Sequence, residues 1–376
     1  MKFSYFGAVP YIAPEVARGW PVAPRHFDRS FGPSSMEQAT VLFELAHELG
    51  FDALTVAEHH YATRQITPAP IVTAAALGMR IPTARINVLG APLPLLNPVR
   101  VAEELAYLDN LLEGRLDVGL FRGSPNEYMT YGTNPRESKA MFNEGVELLL
   151  RAWAEPEPFA WEGVHYRFRL VSLWPQPFQQ PRPRIFVSAS SPESAAFAAR
   201  HHLDAAFSFM PLSVVSELVA IYREHAAEAG WEPTADNVLY RANAYVAETD
   251  EQAAEESVAH SWGSPVGIAA PAAPRDAASV GEVMGRIARE GFSEQMAAIF
   301  GAGGPPGAPP LPGVLGSPAT VIRQVAAAEE AGIGRLDLVF NGDTLPVELG
   351  TRSLRLFGEE VIPAVQRRTS SVPVSA

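Results

Sequence analysis

The run Asp52-Ala53-Leu54-Thr55-Val56-Ala57 ends directly in the polar cluster Glu58-His59-His60-Tyr61. Small and β-branched apolar residues in a run of this length predict a buried strand, and the cluster then lies at the carboxyl end of that strand. Similar runs recur along the chain, separated by segments with helical periodicity. Eight strands are predicted in all: Lys2–Phe6, Asp52–Ala57, Arg85–Leu89, Leu116–Phe121, Arg184–Ser188, Asp204–Phe207, Val238–Val246 and Arg335–Phe340.

The alternation of these strands with helices predicts an α/β fold, a (β/α)8 TIM barrel. Pro98 and Gly114 fit the start and the end of one of the helices. An open doubly wound sheet is the alternative, but such a sheet normally carries a glycine-rich phosphate-binding turn after its first strand. Gly7-Ala8-Val9-Pro10 follows the first strand here, which favours the closed barrel.

Two segments interrupt the alternation. Residues 159–174 are aromatic and alternating, which predicts a β-hairpin before the fifth strand. Residues 262–312 are rich in Gly, Pro and Ala and predict a long insertion, which is either an ordered active-site lid or a disordered spacer. We therefore expect a single domain over residues 1–366, including this insertion, and a disordered tail over residues 367–376.

Composition excludes several classes of protein. The 376-residue chain has no cysteine, which excludes disulfides, thiolate catalysis and cysteine-ligated metals. Its net charge of −13 argues against nucleic acid or an anionic membrane as a partner. The sequence has no run of about 18 apolar residues, so no membrane span is predicted. Met1–Gly7 lacks the layout of a signal peptide. We expect a cytoplasmic protein. The lysines, Lys2 and Lys139, occupy no predicted site position, so a Schiff-base lysine is not expected.

Polar residues follow several of the predicted strands, and barrel enzymes build their sites at the carboxyl ends of the strands. His59 and His60 suit proton transfer, although a structural, hydrogen-bonded role is the alternative. Neighbouring side chains of an extended segment point to opposite sides, so we expect one of the two histidines to face the pocket. No metal site is predicted, because the first strand lacks the paired histidines that would complete a ligand set.

A second group of polar residues follows the fourth and fifth strands. Arg122 could hold a phosphate or a carboxylate, and Gly123 would allow a ligand to approach the backbone. Ser188, Ser190 and Ser191 lie where a strand passes into a helix. They indicate either a capped helix or a phosphate cup formed by hydroxyls and free N–H groups.

Several of these motifs together resemble the bacterial-luciferase-like flavin monooxygenases. The resemblance covers roughly residues 1–207 and 316–365. The matching motifs are Ala57-Glu58-His59-His60, Asn97-Pro98-Val99-Arg100, Gly114-Arg115, Arg122-Gly123, Ser188-Ala189-Ser190-Ser191, Gly316-Ser317-Pro318 and Ala331-Gly332. One departure is Val187, which stands where luciferase has an acidic residue.

The resemblance implies a barrel that binds FMN, commonly as a homodimer. It places His59 at a catalytic position and Arg122, Ser188, Ser190 and Ser191 at flavin-phosphate positions. It also implies a non-proline cis peptide under the flavin ring, within the cofactor-binding segment Leu89-Gly90-Ala91. We expect the substrate pocket to be lined by Phe6, Trp20, His60, Phe209 and Met210.

The implied reaction is a monooxygenation of a small organic substrate by reduced FMN and O2 through a C4a-peroxyflavin. A separate flavin reductase would supply the reduced FMN, and the cofactor would carry the difficult chemistry. The alternative on the same fold is an F420-dependent oxidoreductase that transfers hydride. A further alternative is a non-catalytic flavin-binding homologue. The sequence does not identify the substrate.

Overall fold

Eight parallel strands close into a barrel in the computed structural model, which describes residues 1–16, 21–63, 65–260, 313–340 and 345–370. The sheet order is β10-β9-β11-β1-β2-β3-β4-β7-β8, and pairing of β8 with β9 closes the barrel. The strands are β1 Lys2–Phe6, β2 Ala53–Val56, β3 Ile86–Pro92, β4 Leu116–Phe121, β5 Phe159–Glu162, β6 Arg167–Val171, β7 Arg184–Ser188, β8 Asp204–Ser208, β9 Val238–Val246, β10 Gly313–Gly316 and β11 Arg335–Val339. The predicted (β/α)8 barrel is therefore confirmed.

Helices surround the barrel, and several of them begin where the sequence supplies a side-chain cap. The helices are α1 Phe31–Glu48, α2 Pro70–Arg80, α3 Pro98–Leu111, α4 Pro125–Tyr131, α5 Ser138–Ala154, α6 Pro192–Arg200, α7 Leu212–Glu228, α8 Asp250–Ala259, α9 Pro318–Glu330, α10 Val347–Leu356 and α11 Ile362–Ser370. The side chain of Asn97 accepts from the first N–H groups of α3, and Ser191 and Ser317 cap α6 and α9 in the same way. Each cap precedes a proline at the first helical position, which needs no N–H partner.

The predicted β-hairpin forms from β5 and β6, which pair antiparallel. Glu144 on α5 fixes its turn by accepting from the backbone N–H groups of Val164, His165 and Tyr166 at 3.1, 2.9 and 2.9 Å. The predicted insertion at 262–312 lies outside the described residues. The next described element is β10, which pairs with β9 beside the barrel. The sequence did not predict this strand.

Residues 367–370 are helical, although the sequence predicted a disordered tail from residue 367. Helix α11 continues through Arg367 to Ser370, and Arg368 forms an ion pair with Glu329 at the end of α9. Helical periodicity near a chain end gives too weak a signal to separate a docked last turn from a free tail. The remainder of the predicted tail, residues 371–376, lies outside the described residues.

Polar side chains cross the inside of the barrel. Arg241 on β9 donates from Nε to Oδ2 of Asp337 on β11 at 2.8 Å, and both side chains are buried. The other carboxylate oxygen of Asp337 accepts from Thr55 on β2 at 2.7 Å. Asn87 on β3 donates to Thr55 and to Ser4 on β1. Five of the barrel strands are thus linked by one hydrogen-bonded network.

Ion pairs close the opposite end of the barrel, where the strands begin. Asp236, in the turn before β9, lies 2.9 Å from Arg335 and 3.0 Å from both Arg184 and Lys2. Partial burial acts to raise the pKa of Asp236. The hydrogen bonds and charges of Arg335, Lys2 and Arg184 outweigh this and lower the pKa to about 2.

Replacement of Asp236 by Asn is expected to destabilise the fold by about 1–2 kcal/mol at neutral pH. A folded-state pKa below the ordinary 3.8 means that the carboxylate contributes stability above pH 4 and loses it as the pH falls towards 2. Urea unfolding of Asp236→Asn and of the unmodified protein at pH 7, 4 and 2.5 should therefore show a difference that shrinks as the pH falls. Glu217→Gln, at an exposed carboxylate on α7, is the control. A difference that stays constant with pH would contradict the assignment.

Candidate active site at the carboxyl ends of the strands

Polar residues that follow three of the barrel strands meet at one rim. β2, β3, β4 and β7 pair side by side in parallel, so their carboxyl ends lie together. His59 follows β2, Arg122 follows β4, and Ser188 is the last residue of β7. Because barrels carry their sites at this end, these residues and their surroundings form the candidate active site.

His59 is the accessible histidine of the rim. Its side chain is 40% exposed, and Nδ1 lies 3.5 Å from Oε1 of Glu127, whose side chain is 6% exposed. Burial acts to raise the pKa of Glu127, but the His59 imidazole and the hydrogen bonds from Ser124 outweigh it and lower the pKa below its ordinary value. The ionised carboxylate therefore lies beside an accessible imidazole, and this arrangement suits proton transfer.

Glu127 is fixed by the start of α4. Ser124 and Glu127 form a capping box, in which the backbone N–H of Ser124 donates to Oε2 of Glu127. A serine three residues before a glutamate is a helix-start signal in a sequence. The approach of Oε1 to a histidine after β2 depends on the closed barrel. Glu127 is thus a site residue that local sequence patterns do not reveal.

His60 has a different partner and a different environment. Its Nε2 lies 2.9 Å from Oε1 of Glu58, and both side chains are nearly fully buried. Its ring packs edge-on against Tyr131 of α4, with the centroids 5.1 Å apart. The two adjacent histidines therefore point to different sides, and His59 is the one with the exposed ring.

The three serines lie at the junction of β7 and α6. The hydroxyl of Ser188 donates to that of Ser190 at 3.4 Å. The hydroxyl of Ser191 accepts from the N–H of Ser194 and caps α6. Both sequence interpretations of this junction therefore remain compatible, because a capped helix still directs its first N–H groups and its positive dipole end outwards.

Lys139 joins this junction, against the expectation that it has no site position. It lies at the start of α5 and forms an ion pair with Glu193 in the first turn of α6. Burial and then the positive charge of Arg122 lower the pKa of Lys139. Arg122 is therefore near enough to Lys139 for their positive charges to interact. A lysine after a loop carries no local sign of this proximity.

The predicted cis peptide is confirmed between Leu89 and Gly90. The carbonyl of Leu89 accepts from Nη2 of Arg241 at 2.9 Å. A side chain at Gly90 would collide with the ring of Phe121, since an added Cβ would lie 2.2 Å from its Cδ2. Leu89, Gly90 and Ala91 are all buried, and the side chain of Leu89 packs inside the barrel against Phe186 and Leu239.

The residues predicted to line the substrate pocket have varied surroundings. Phe6 is buried beneath the guanidinium of Arg241, 4.2 Å from its ring centroid. Phe209 is partly exposed and adopts a left-handed backbone conformation with φ of 53°. Met210 is fully buried in the main apolar core. Trp20 lies outside the described residues.

The rest of the described chain offers no stronger candidate for a functional site than this rim. No group of three or more His, Asp or Glu side chains in the described ranges could hold a metal ion. No described helix is both long enough and apolar enough to cross a membrane. A surface groove of about 620 Å³ lies at the opposite end of the barrel, around Trp231 and Thr234, where barrels rarely carry chemistry.

A closed (β/α)8 barrel with a histidine–carboxylate pair and a cationic, serine-lined helix start at one rim defines a barrel enzyme that can bind a phosphate-bearing ligand beside a proton-transferring group. The family model for luciferase-like monooxygenases matches residues 13–335. The chain therefore belongs to the luciferase-like monooxygenase family, a family of oxidoreductases, and the resemblance of its motifs is confirmed.

Individual relatives agree with this membership. The crystal structure of monooxygenase RslO1 from Streptomyces bottropensis is 30% identical, covers 97% of this chain and 99% of its own, and superposes with a TM-score of 0.73. The flavin-dependent trigonelline monooxygenase, oxygenase component, from Acinetobacter baylyi is 27% identical over 218 residues, 56% of this chain and 59% of that protein. The chain spans about half the length of the curated relatives it matches.

More distant solved structures share the fold alone. The oxygenating constituent of 3,6-diketocamphane monooxygenase from Pseudomonas putida, in complex with FMN, is 21% identical, with 97% of this chain and 98% of that chain covered and a TM-score of 0.70. An F420-dependent secondary alcohol dehydrogenase is 18% identical, with the same coverage and a TM-score of 0.67. Both cofactors thus occur among proteins of this fold.

Arg241→Met is expected to destabilise the protein by about 3–5 kcal/mol, because it leaves Asp337 charged and without its buried partner. The double variant with Asp337→Asn should recover part of this loss, since the unpaired charge is then removed. Guanidinium unfolding of both single variants and of the double variant measures the coupling. Arg100→Met, at an exposed ion pair on α3, should change stability by less than about 1 kcal/mol. An Arg241→Met effect as small as this control would contradict the role of the pair.

Proposed function

We propose that this chain is the oxygenase component of a two-component flavin-dependent monooxygenase, using reduced FMN and O2 on a small organic substrate. Family membership and the name of the Acinetobacter relative, a flavin-dependent oxygenase component, support the reaction class. A separate flavin reductase would supply the reduced FMN. The substrate stays open, because the residues proposed to line its space are mostly apolar and carry little chemical specificity.

The observation that carries the proposal is the cluster of donors at the junction of β4, α5 and α6. Arg122 follows β4, and Lys139 lies at the start of α5 in an ion pair with Glu193, within a chain of net charge −13. Ser188 and Ser190 add hydroxyls, and the first turn of α6 adds backbone N–H groups. Such a donor set fits the phosphate of FMN, because a dianion would meet the guanidinium of Arg122, the serine hydroxyls and the positive end of the helix dipole. The phosphate would compete with Glu193 for Lys139.

The rest of the rim would serve the reacting end of the cofactor. Reduced FMN supplies the two electrons that activate O2 when it is bound. Leu89, Gly90 and Ala91, at the cis peptide within β3, would form the floor beneath its ring. His59 would act as a base or hydrogen-bond partner for the substrate, because its ring is the accessible imidazole of the pair.

F420-dependent hydride transfer is the second candidate, favoured by the matching fold of the F420-dependent alcohol dehydrogenase. F420 also carries phosphate, so the donor cluster by itself accepts either cofactor. A non-catalytic flavin-binding protein is the third candidate. The three candidate functions differ in whether O2 is consumed and whether a substrate is oxidised.

A homodimer is also part of the proposal. Val72 and Met79 on α2 and Tyr107 on α3 are 68%, 65% and 63% exposed, and the two helices pack against each other. Large apolar side chains grouped on adjacent helices are typical of a face that another protein covers. We propose that a second copy of the chain covers this face and that the dimer is cytoplasmic.

The function is tested by adding reduced FMN to the purified protein without oxygen and then mixing with air-saturated buffer. We expect reduced FMN to bind and to be reoxidised more slowly than the free flavin, because a buried site shields it from water. With a substrate, label from ¹⁸O₂ should enter the product. Absence of binding, or reoxidation at the rate of free flavin, would contradict the proposal, and F420 binding would then be measured. Binding without any oxygenated product would support the non-catalytic alternative.

Arg122→Ala and Lys139→Ala are each expected to raise the Kd of reduced FMN about tenfold or more, a loss of about 1.4 kcal/mol. The Kd of reduced riboflavin, which lacks the phosphate, should change little in the same variants. Anaerobic titration measures both ligands. Arg100→Ala, an exposed arginine on α3, is the matched control. Equal losses for FMN and riboflavin would show that the cluster does not contact the phosphate.

A further inference from the structure

The two histidines at the rim each have a glutamate partner, but only one of the pairs faces the open space. His60 and Glu58 are nearly fully buried together. His59 is 40% exposed, whereas its partner Glu127 is 6% exposed. A buried anion beside an exposed imidazole leaves one ring nitrogen towards the protein and the other towards the rim.

The two carboxylate oxygens of Glu127 have separate contacts. Oε2 accepts from the backbone N–H of Ser124 in the capping box, and Oε1 lies 3.5 Å from Nδ1 of His59. The capping box fixes the carboxylate against the backbone, so its position does not depend on a flexible chain. At 3.5 Å the Oε1–Nδ1 distance is longer than that of a tight charge-assisted hydrogen bond.

From this geometry we infer that Glu127 is a positioning residue for His59: its carboxylate holds a proton on Nδ1 and leaves Nε2 free to accept a proton at the rim. The inference rests on the proposed function only for the catalytic use of His59. When Nε2 takes a proton from a substrate, the ring becomes cationic and Glu127 stays ionised beside it. The proton then leaves to solvent through the exposed edge of the ring, so no further reactant is needed.

Other charged and titratable groups surround this pair, and the test must separate them from Glu127. They come from the segment after β2, from α4 and from the end of β4: Glu58, His60, Tyr61, Tyr131 and Arg122. Glu58 is engaged by His60. Tyr131 has a raised pKa, first because of burial and then because of the negative charges near it, so it stays neutral through the neutral pH range.

The test is nuclear magnetic resonance of protein labelled with ¹⁵N-histidine, with the His59 signals assigned by their loss in His59→Gln. At high pH the neutral His59 ring should carry its proton on Nδ1. In Glu127→Gln this preference should weaken, because the neutral amide is a weaker acceptor for the Nδ1 proton than the carboxylate. Gln at the same position can still complete the capping box, so α4 should begin normally.

The chain offers a matched control in His225 and Glu228 on α7, whose Nδ1 and Oε2 atoms lie 2.7 Å apart at the surface. Glu228→Gln should alter the signals of His225 and leave those of His59 unchanged. A proton on Nε2 of His59 in the unmodified protein would overturn the inference without any variant, and so would unchanged His59 signals in Glu127→Gln. Because these spectra need no flavin, failure of reduced FMN to bind would contradict the proposed function and leave this inference standing.

Discussion

The buried pair of Arg241 and Asp337 is the constraint on which the inside of the barrel depends. A guanidinium placed among apolar strands must be paired, because an unpaired charge there would cost several kcal/mol. Arg241 donates from Nε to Asp337 and from Nη2 to the carbonyl of Leu89. Its plane also covers the ring of Phe6. One side chain thereby ties β9 to β11, β3 and β1, and it holds the end of β3 where the candidate cofactor floor lies.

The rim above this network is divided by charge. On the side of β2 and α4, two glutamates lie close to two histidines, and each carboxylate has its own imidazole. On the side of β4, α5 and α6 are Arg122, Lys139 with its ion-pair partner Glu193, and the serine-capped start of α6. An anionic group is favoured on the second side and a proton-transferring reaction on the first. A cofactor with a phosphate tail and a reactive ring would match both requirements at once.

Local patterns in the sequence predicted the barrel because each of its strands carries its own signal. The strands Val238–Val246 and Leu116–Phe121 have the same bounds in the structure as in the prediction. Parallel pairing of the strands then brings the residues that follow them to one rim. The unpredicted strand Gly313–Gly316 has two glycines in four residues, which is a loop signal. It forms only because β9 extends far enough to pair with it beyond the barrel.

The same distinction explains which site residues the sequence could reveal. His59, Arg122 and Ser188 follow strands, so their place in the chain implies their place in the fold. Glu127 contacts His59, which lies 68 residues away in sequence, and Lys139 contacts Glu193, which lies 54 residues away. No pattern within a few residues of Glu127 or Lys139 predicts either contact. Arg241 is a charged residue within a largely apolar strand, and a charge in such a place requires a buried partner. The identity of that partner, 96 residues further on, follows only from the closure of the barrel, which brings the interior faces of β9 and β11 together.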